Sequence, residues 1–395
     1  MTAPDSPVQD EATRDHLTRA ADWYELLFDL VFVVVIAIAV SLIEHDTSIH
    51  TVLVFVALFF PLWWAWVNLT ATNNILGSRF GSLELLIILA MPGPAAMAIA
   101  IAAGMSSFDW LYATGAAWVR VVLLLMWLAP RVRGHHVVAV WRPFVYNLGT
   151  AAIWIGSLGL PVPYRYWLWL VAVAIEVALL AWRSSFADEV YRNVSVSHAL
   201  ERIGLFVVIV IGEAIYLTVT ELSVDPTLLG GLTAFFGLVI CAILARGYFR
   251  WGAPSAHAGL ERARATGGYG ALRDVVMYIP FLVVVGLTFV AAAIGMAVSH
   301  PNQVFGFQVK LLLVTGIALF YLANALIGLR LRRPWRRVLV FLLVGAGIPA
   351  IACLIPIASE GWVTIGLLAI ALLLVEVFGL LMRRQIAKSD APPHV

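Results

Sequence analysis

Charge is the scarcest property of this sequence. Of its 395 residues only 12% are Asp, Glu, Lys or Arg, while 62% are apolar and the mean hydropathy is +0.94. Soluble domains carry roughly a quarter charged residues and about half apolar ones, so a water-soluble globular chain is excluded. The net charge of +2 says little, because where the charges sit matters more; no nucleic-acid partner is expected. Cysteine is nearly missing too. Cys241 and Cys353 stand in separate apolar runs, which excludes a disulfide framework or a cysteine zinc site and reads as buried packing. The first twenty residues, MTAPDSPVQDEATRDHLTRA, lack an apolar core followed by a small-residue cleavage site. They read as a disordered cytoplasmic tail and not a signal peptide.

Reaction signatures are absent as well. There is no G-x-x-x-x-G-K-[ST] loop, so ATP is not the direct energy source, and no HExxH or GxSxG pattern or DDxxD-like cluster. No cofactor and no resident metal are implied.

What is present is a series of long uncharged runs, such as LVFVVVIAIAVSLI and TIGLLAIALLLVEVFGLL, matched to a hydrocarbon core roughly 30 Å thick. The expected fold is all-α, a polytopic integral membrane protein of about 12 transmembrane helices. The spans are placed at 23–43, 49–69, 82–103, 108–128, 143–160, 165–183, 200–221, 228–250, 272–298, 307–329, 336–357 and 361–382. The fifth is the weakest, being short and holding Asn147 and Gly149. With both termini inside, the inner segments hold 22 of the 25 basic residues; Arg165 and Lys310 fall outside and Arg120 within a span. Such asymmetry supports twelve helices with both termini cytoplasmic.

Two same-sense six-helix halves are expected. The sixth span ends IEVALLAWR and the twelfth VEVFGLLMR, each with an Arg seven residues after the Glu. Parallel repeats of this kind are a common transporter plan. The organisation is then a tail at 1–22, an N-terminal half at 23–183, a linker at 184–199, a C-terminal half at 200–383 and a tail at 384–395. In the long inner connection after span eight, LERARA is expected to form a short surface helix touching anionic headgroups.

Ionisable side chains inside a bilayer cost a few kcal/mol each and need a reason. Those within spans are Asp29, Glu84, Arg120, Glu176, Glu213 and Glu376, candidates for substrate or proton binding. Glu25, His198, Glu201 and Arg202 form a charge cluster at the cytoplasmic mouth. Glu25 and Asp29, four residues apart, share a helix face. Measured from Trp23, Asp29 lies about 9 Å deeper and Glu25 about 3 Å. Two carboxylates in one partly dry stripe do not both ionise readily, which suits a proton relay or cation site; the structural alternative is satisfaction by an Arg or by helix N-terminal amides. Glu201 and Arg202 are adjacent and point apart, so each needs a partner elsewhere, with Glu25 the expected partner of Arg202. Arg120 calls for Glu213, Glu176 or an anionic substrate. Trp63, Trp64 and Trp66 read as an interfacial belt, and His135 and His136 as solvated cationic surface.

WYELLFDLVFV at 23–33 and HALERIGLFVVIVIGEAI at 198–215, with a Trp-rich second span and MYIPFLV at 277–283, carry a resemblance. The chain resembles the bacterial low temperature requirement protein A (LtrA) family. That resemblance implies a polytopic inner-membrane protein associated with growth at low temperature. It points to Glu25, Asp29, His198, Glu201, Arg202 and Glu213 as motif positions and supplies no substrate. Where the family often has a histidine, this chain has Tyr278. The expected function is a secondary transporter coupled to protons or another cation, with Asp29 and Glu213 as coupling acids. The alternatives are an intramembrane enzyme acting on a lipid or isoprenoid, or a channel, scrambler or lipid sensor. Expected partners are membrane lipids and a small-molecule or ion substrate that the sequence does not identify.

Overall fold

The computed structural model describes residues 23–80, 83–132, 139–181, 194–356 and 359–389. The expected N-terminal tail, His135, His136 and most of the 184–199 linker lie outside the described residues. Among those described, the architecture is helical, with one isolated bridge between Val304 and Glu360. In chain order the helices are α1 (Trp23–His45), α2 (Ile49–Phe80), α3 (Glu84–Ala90), α4 (Pro92–Ala103), α5 (Met105–Val132), α6 (Thr150–Gly156) and α7 (Tyr164–Ala181). They continue with α8 (Val196–Val224), α9 (Leu228–Arg246), α10 (Ala253–Ala265), α11 (Tyr269–Arg273), α12 (Ile279–Ser299), α13 (Phe307–Arg330), α14 (Trp335–Leu354) and α15 (Gly361–Ser389).

Eleven helical stretches among the described residues are long and apolar enough to cross a membrane. The chain is therefore an all-α, multi-pass membrane protein. The expected fifth span is the exception. Residues 141–159 are helical throughout, but a π turn at Phe144–Gly149 precedes α6 and a 3-10 turn at Ser157–Gly159 follows it. Asn147, buried within the π turn, donates its amide to the Pro143 carbonyl at 3.0 Å, a local bond that competes with regular helix pairing. The connection after span eight is also more helical than expected. A π turn at Gly247–Gly252 carries α9 into α10, which contains the LERARA stretch.

Contacts divide the chain into two compact units. The first comprises the described residues of Met1–Ala39, Val54–Phe206 and His257–Tyr278. Within it α4 and α5 cross at Gly93 and Gly115, where a Cβ on Gly115 would meet the Gly93 carbonyl oxygen at 2.5 Å. Lipid tails provide no drive to bury apolar side chains, so close backbone approach through small residues takes over. The second unit comprises Val40–Leu53, Val207–Ala256 and the described residues of Ile279–Val395. Its centre is α12, apolar on every side and almost wholly buried, as an all-round hydrophobic helix must be. It meets α13 at Gly286 and Gly316 in the same small-residue manner.

Candidate functional site

The charged motif residues gather in the first unit, where α1 and α8 lie side by side in the same direction. Spacings of three or four residues repeat on one helix face, so Glu25, Asp29 and Phe32 of α1 stack opposite His198, Arg202 and Phe206 of α8. The rungs are explicit. His198 Nε2 lies 2.9 Å from Glu25 Oε2, Arg202 Nη2 donates to Asp29 Oδ1 at 2.7 Å, and the two phenylalanine rings sit 5.6 Å apart. The expected Glu25–Arg202 pairing is present as the longer of two ion pairs, with Arg202 Nε 3.9 Å from Glu25 Oε2, whereas the shorter one goes to Asp29, one turn deeper and level with the guanidinium. Glu201 is exposed and takes no part in the ladder, because adjacent residues on a helix point about 100° apart.

The C-terminal half of α2 closes the ladder. Trp66 Nε1 donates to Asp29 Oδ1 at 2.7 Å and the Asn73 amide donates to Glu25 Oε1. Trp63, Trp64 and Trp66 are buried to within 1%, which corrects their reading as an interfacial belt. At this depth a buried carboxylate uses the indole N–H as a donor, Trp63 donates to the Met277 carbonyl at 3.1 Å, and Phe206 packs edge-on against both Trp63 and Trp66.

Asn74 determines the state of His198. The Ser195 N–H donates to Asn74 Oδ1 at 2.8 Å, while Asn74 Nδ2 donates to the Ser195 carbonyl at 3.0 Å. A backbone N–H can only donate, so the amide cannot be turned around. Its Nδ2 then faces His198 Nδ1 at 3.0 Å, which must accept. The proton of a neutral imidazole therefore sits on Nε2 and is donated to Glu25. Asp29 Oδ2 and Arg202 Nη1 meet no hydrogen-bond partner among the described residues, so the ladder has unfilled capacity at its deeper rung. Beside it lies a narrow cleft whose walls include Trp66, Thr70, Asn74, Ala199, Ile203 and Met277. Trp66 and Asn74 thus serve both as cleft wall and as partners of the ladder.

The remaining candidates lie elsewhere. Arg120 and Glu176 form a fully buried ion pair at 2.5 Å, with Thr150 and Trp64 flanking the carboxylate. Of the two acids expected for Arg120, Glu176 is the partner. Glu376 pairs with Arg246 at 2.7 Å in the second unit, at a half-exposed position. Glu84 is the first residue of α3, half-buried in the turn where the helix dipole favours negative charge. Glu213 is buried in the second unit with no hydrogen bond or ion pair among the described residues. Tyr278 stacks on Trp64, ring centroids 5.5 Å apart.

All the ladder residues fall within the region, residues 20–372, that matches the family described as bacterial low temperature requirement A protein (LtrA). The chain belongs to the LtrA family. It is also 24% identical over 315 residues to "Uncharacterized protein RA0937" of Rhizobium meliloti (strain 1021), covering 76% of this chain and 75% of that protein. Two residues of the candidate site, Asn73 and Asn74, escaped the sequence reading, and Trp66 was read as interface. The signal was ATNN at 71–74, consecutive amides in a segment assigned to a connection because span two was ended at 69. The helix in fact continues to Phe80.

Proposed function

We propose that this LtrA chain is a secondary transporter of the bacterial cytoplasmic membrane, with both termini inside, and that the α1–α8 ladder takes up and releases the coupling proton. The observation that carries this reading is the deeper rung of the ladder, where Asp29 and Arg202 are buried and paired while Asp29 Oδ2 meets no hydrogen-bond partner among the described residues. An ion pair inside a bilayer is held by its mutual attraction against a large desolvation cost. A proton taken up at Asp29 Oδ2 removes that attraction, and its departure restores it. Proton loading thus changes the attraction between α1 and α8, which is the differential interaction that a two-state carrier needs. The adjoining cleft has Trp66 and Asn74, both partners of the ladder, in its wall. The distribution of Lys and Arg supports the orientation.

The enzyme reading is weaker on a specific observation. Acid–base catalysis by His198 needs a ring nitrogen facing the substrate, and both are already engaged, by Asn74 and by Glu25. The test is proton flux into sealed proteoliposomes under an imposed potential, read by an internal pH dye, with candidate substrates added singly. Wild-type vesicles are expected to acidify, and Asp29→Asn vesicles of equal protein content to stay at baseline. Equal flux in the two would remove the ladder from the pathway.

A further inference from the structure

In the second unit, the turn between α13 and α14 presents a charged surface that the ladder does not use. From Arg330 to Arg337 the chain reads RLRRPWRR, five arginines in eight residues with no acid. Arg332, Arg333, Arg336 and Arg337 are exposed and have no acidic partner among the described residues. The turn that holds them is closely fixed. The Arg332 N–H donates to the Leu329 carbonyl at 3.0 Å and the Arg333 N–H to the Gly328 carbonyl at 2.9 Å, the paired bonds of a Schellman helix end. That closure puts Arg332 at φ 60°, the one non-glycine residue with positive φ among those described. Glycine usually holds this position, because an L side chain there crowds its own carbonyl. A turn that only reversed the chain would be better served by glycine. On its other side, a Cβ on Gly328 would meet Arg333 Cδ and Val338 Cγ2, each at 3.4 Å. The Arg333 stem is thus packed against α13 while the residue as a whole stays exposed.

Aromatic rings stand beside the guanidiniums. Trp335 is 62% exposed, and Arg336 Cζ lies 5.6 Å from the centre of its ring. A second such pair, Arg250 with Trp251 at 5.7 Å, lies in the π turn that follows α9. Gly247 of that turn packs on Phe320 and Gly252 on Asn324, so the turn runs along α13 toward the same end. Asn324 is six residues, about 9 Å, before Arg330. Indole rings settle at the headgroup level of a bilayer, and planar guanidiniums match the oxygens of a phosphate two at a time. These arginines, fixed and unanswered by acid, stand with an exposed tryptophan at the ends of two helices long and apolar enough to span a bilayer. That combination fits one chemistry, an anionic phosphodiester at the membrane surface.

We propose that the α13–α14 turn binds the headgroup of an anionic phospholipid, with the guanidiniums of Arg332, Arg333, Arg336 and Arg337 engaging its phosphodiester and Trp335 seated in the headgroup layer. The site lies wholly in the second unit and does not depend on transport by the ladder.

The test is native mass spectrometry of the full-length protein in a mild detergent, titrated with phosphatidylglycerol, phosphatidylcholine or inorganic phosphate. Wild type is expected to retain phosphatidylglycerol at concentrations where phosphatidylcholine is stripped. Arg332→Gly relieves the backbone and removes one charge. Its unfolding temperature should rise while its affinity for phosphatidylglycerol falls about fivefold; a purely structural arginine would give the first effect without the second. A variant combining R332K, R333K, R336K and R337K keeps the charge that orients the chain in the membrane and loses only the paired donors of the guanidiniums. Its affinity for phosphatidylglycerol should fall as well. The proposal is overturned if phosphatidylcholine is retained equally or if Arg332→Gly leaves the affinity unchanged. It is also overturned if the four-lysine variant binds as wild type does, which would leave the arginines the task of orientation alone. Displacement of the lipid by excess inorganic phosphate would equally overturn it, assigning the site to the free anion. Proton flux is not read, so either result leaves the ladder untouched.

Discussion

Replacing Asp29 by asparagine or by alanine separates charge from hydrogen bonding at the ladder. Asp29 Oδ1 accepts from both Trp66 and Arg202 at 2.7 Å, while Oδ2 has no partner. Asparagine keeps an oxygen for both donors and places its amide nitrogen at the unused position. What is lost is the difference between hydrogen bonds to a charged and to a neutral acceptor, about 1–2 kcal/mol. Alanine leaves an indole N–H and a buried guanidinium without their acceptor, at a cost of about 3–5 kcal/mol. Reversible unfolding of the purified protein in mixed micelles should therefore rank wild type, Asp29→Asn and Asp29→Ala in descending order. The second step should be at least as large as the first. If both variants are destabilised equally, or if alanine is neutral, the buried Asp29–Arg202 rung is not a pairing that the fold depends on.

Other outcomes follow from the same geometry. Asn74→Ala removes the donor that holds His198 Nδ1 as an acceptor, and nitrogen NMR of labelled histidine should show the Nδ1-protonated tautomer rise from undetectable; an unchanged spectrum would mean that Asn74 does not set the tautomer. For the buried Arg120–Glu176 pair, Arg120→Met alone should cost about 3–5 kcal/mol, and adding Glu176→Leu should recover most of it; additive losses would contradict an isolated pair. In the connection between α1 and α2, donation by the Thr51 hydroxyl, then by the Ser48 N–H and hydroxyl, holds the Asp46 carboxyl below its ordinary range. A carboxyl so depressed contributes fully above the usual value of about 3.9 and loses its contribution as pH falls through the lower folded value. Hydrogen-exchange protection at Ser48 and Thr51 should hold from neutral pH to about 5 and fall below about 4, and Asp46→Asn should flatten that dependence.

Much of this protein was legible before any coordinates. Spans were readable because hydropathy is a local sum over about twenty residues, and a bilayer leaves a backbone little choice but helix. The span that misled, 143–160, contains Asn147, whose bond to Pro143 recasts one turn. The polar motif residues were also visible, since charge in an apolar run is conspicuous. Misjudged were the tryptophans, because the same residue type serves the interface and the buried carboxylate alike.

By itself the sequence determined the class, the helices and the list of charged residues that a membrane protein must account for. Only the tertiary structure decided the pairing. Glu25 meets His198 and Asp29 meets Arg202 at a sequence separation of 173 in each case, and the rotation and axial register of α1 against α8 choose which rung faces which. Register is a property of two helices in contact. That register gives Arg202 its short contact to Asp29 and its longer one to Glu25, and the side chain of Asn74, reaching in from α2, sets the tautomer that no pattern along the chain encodes.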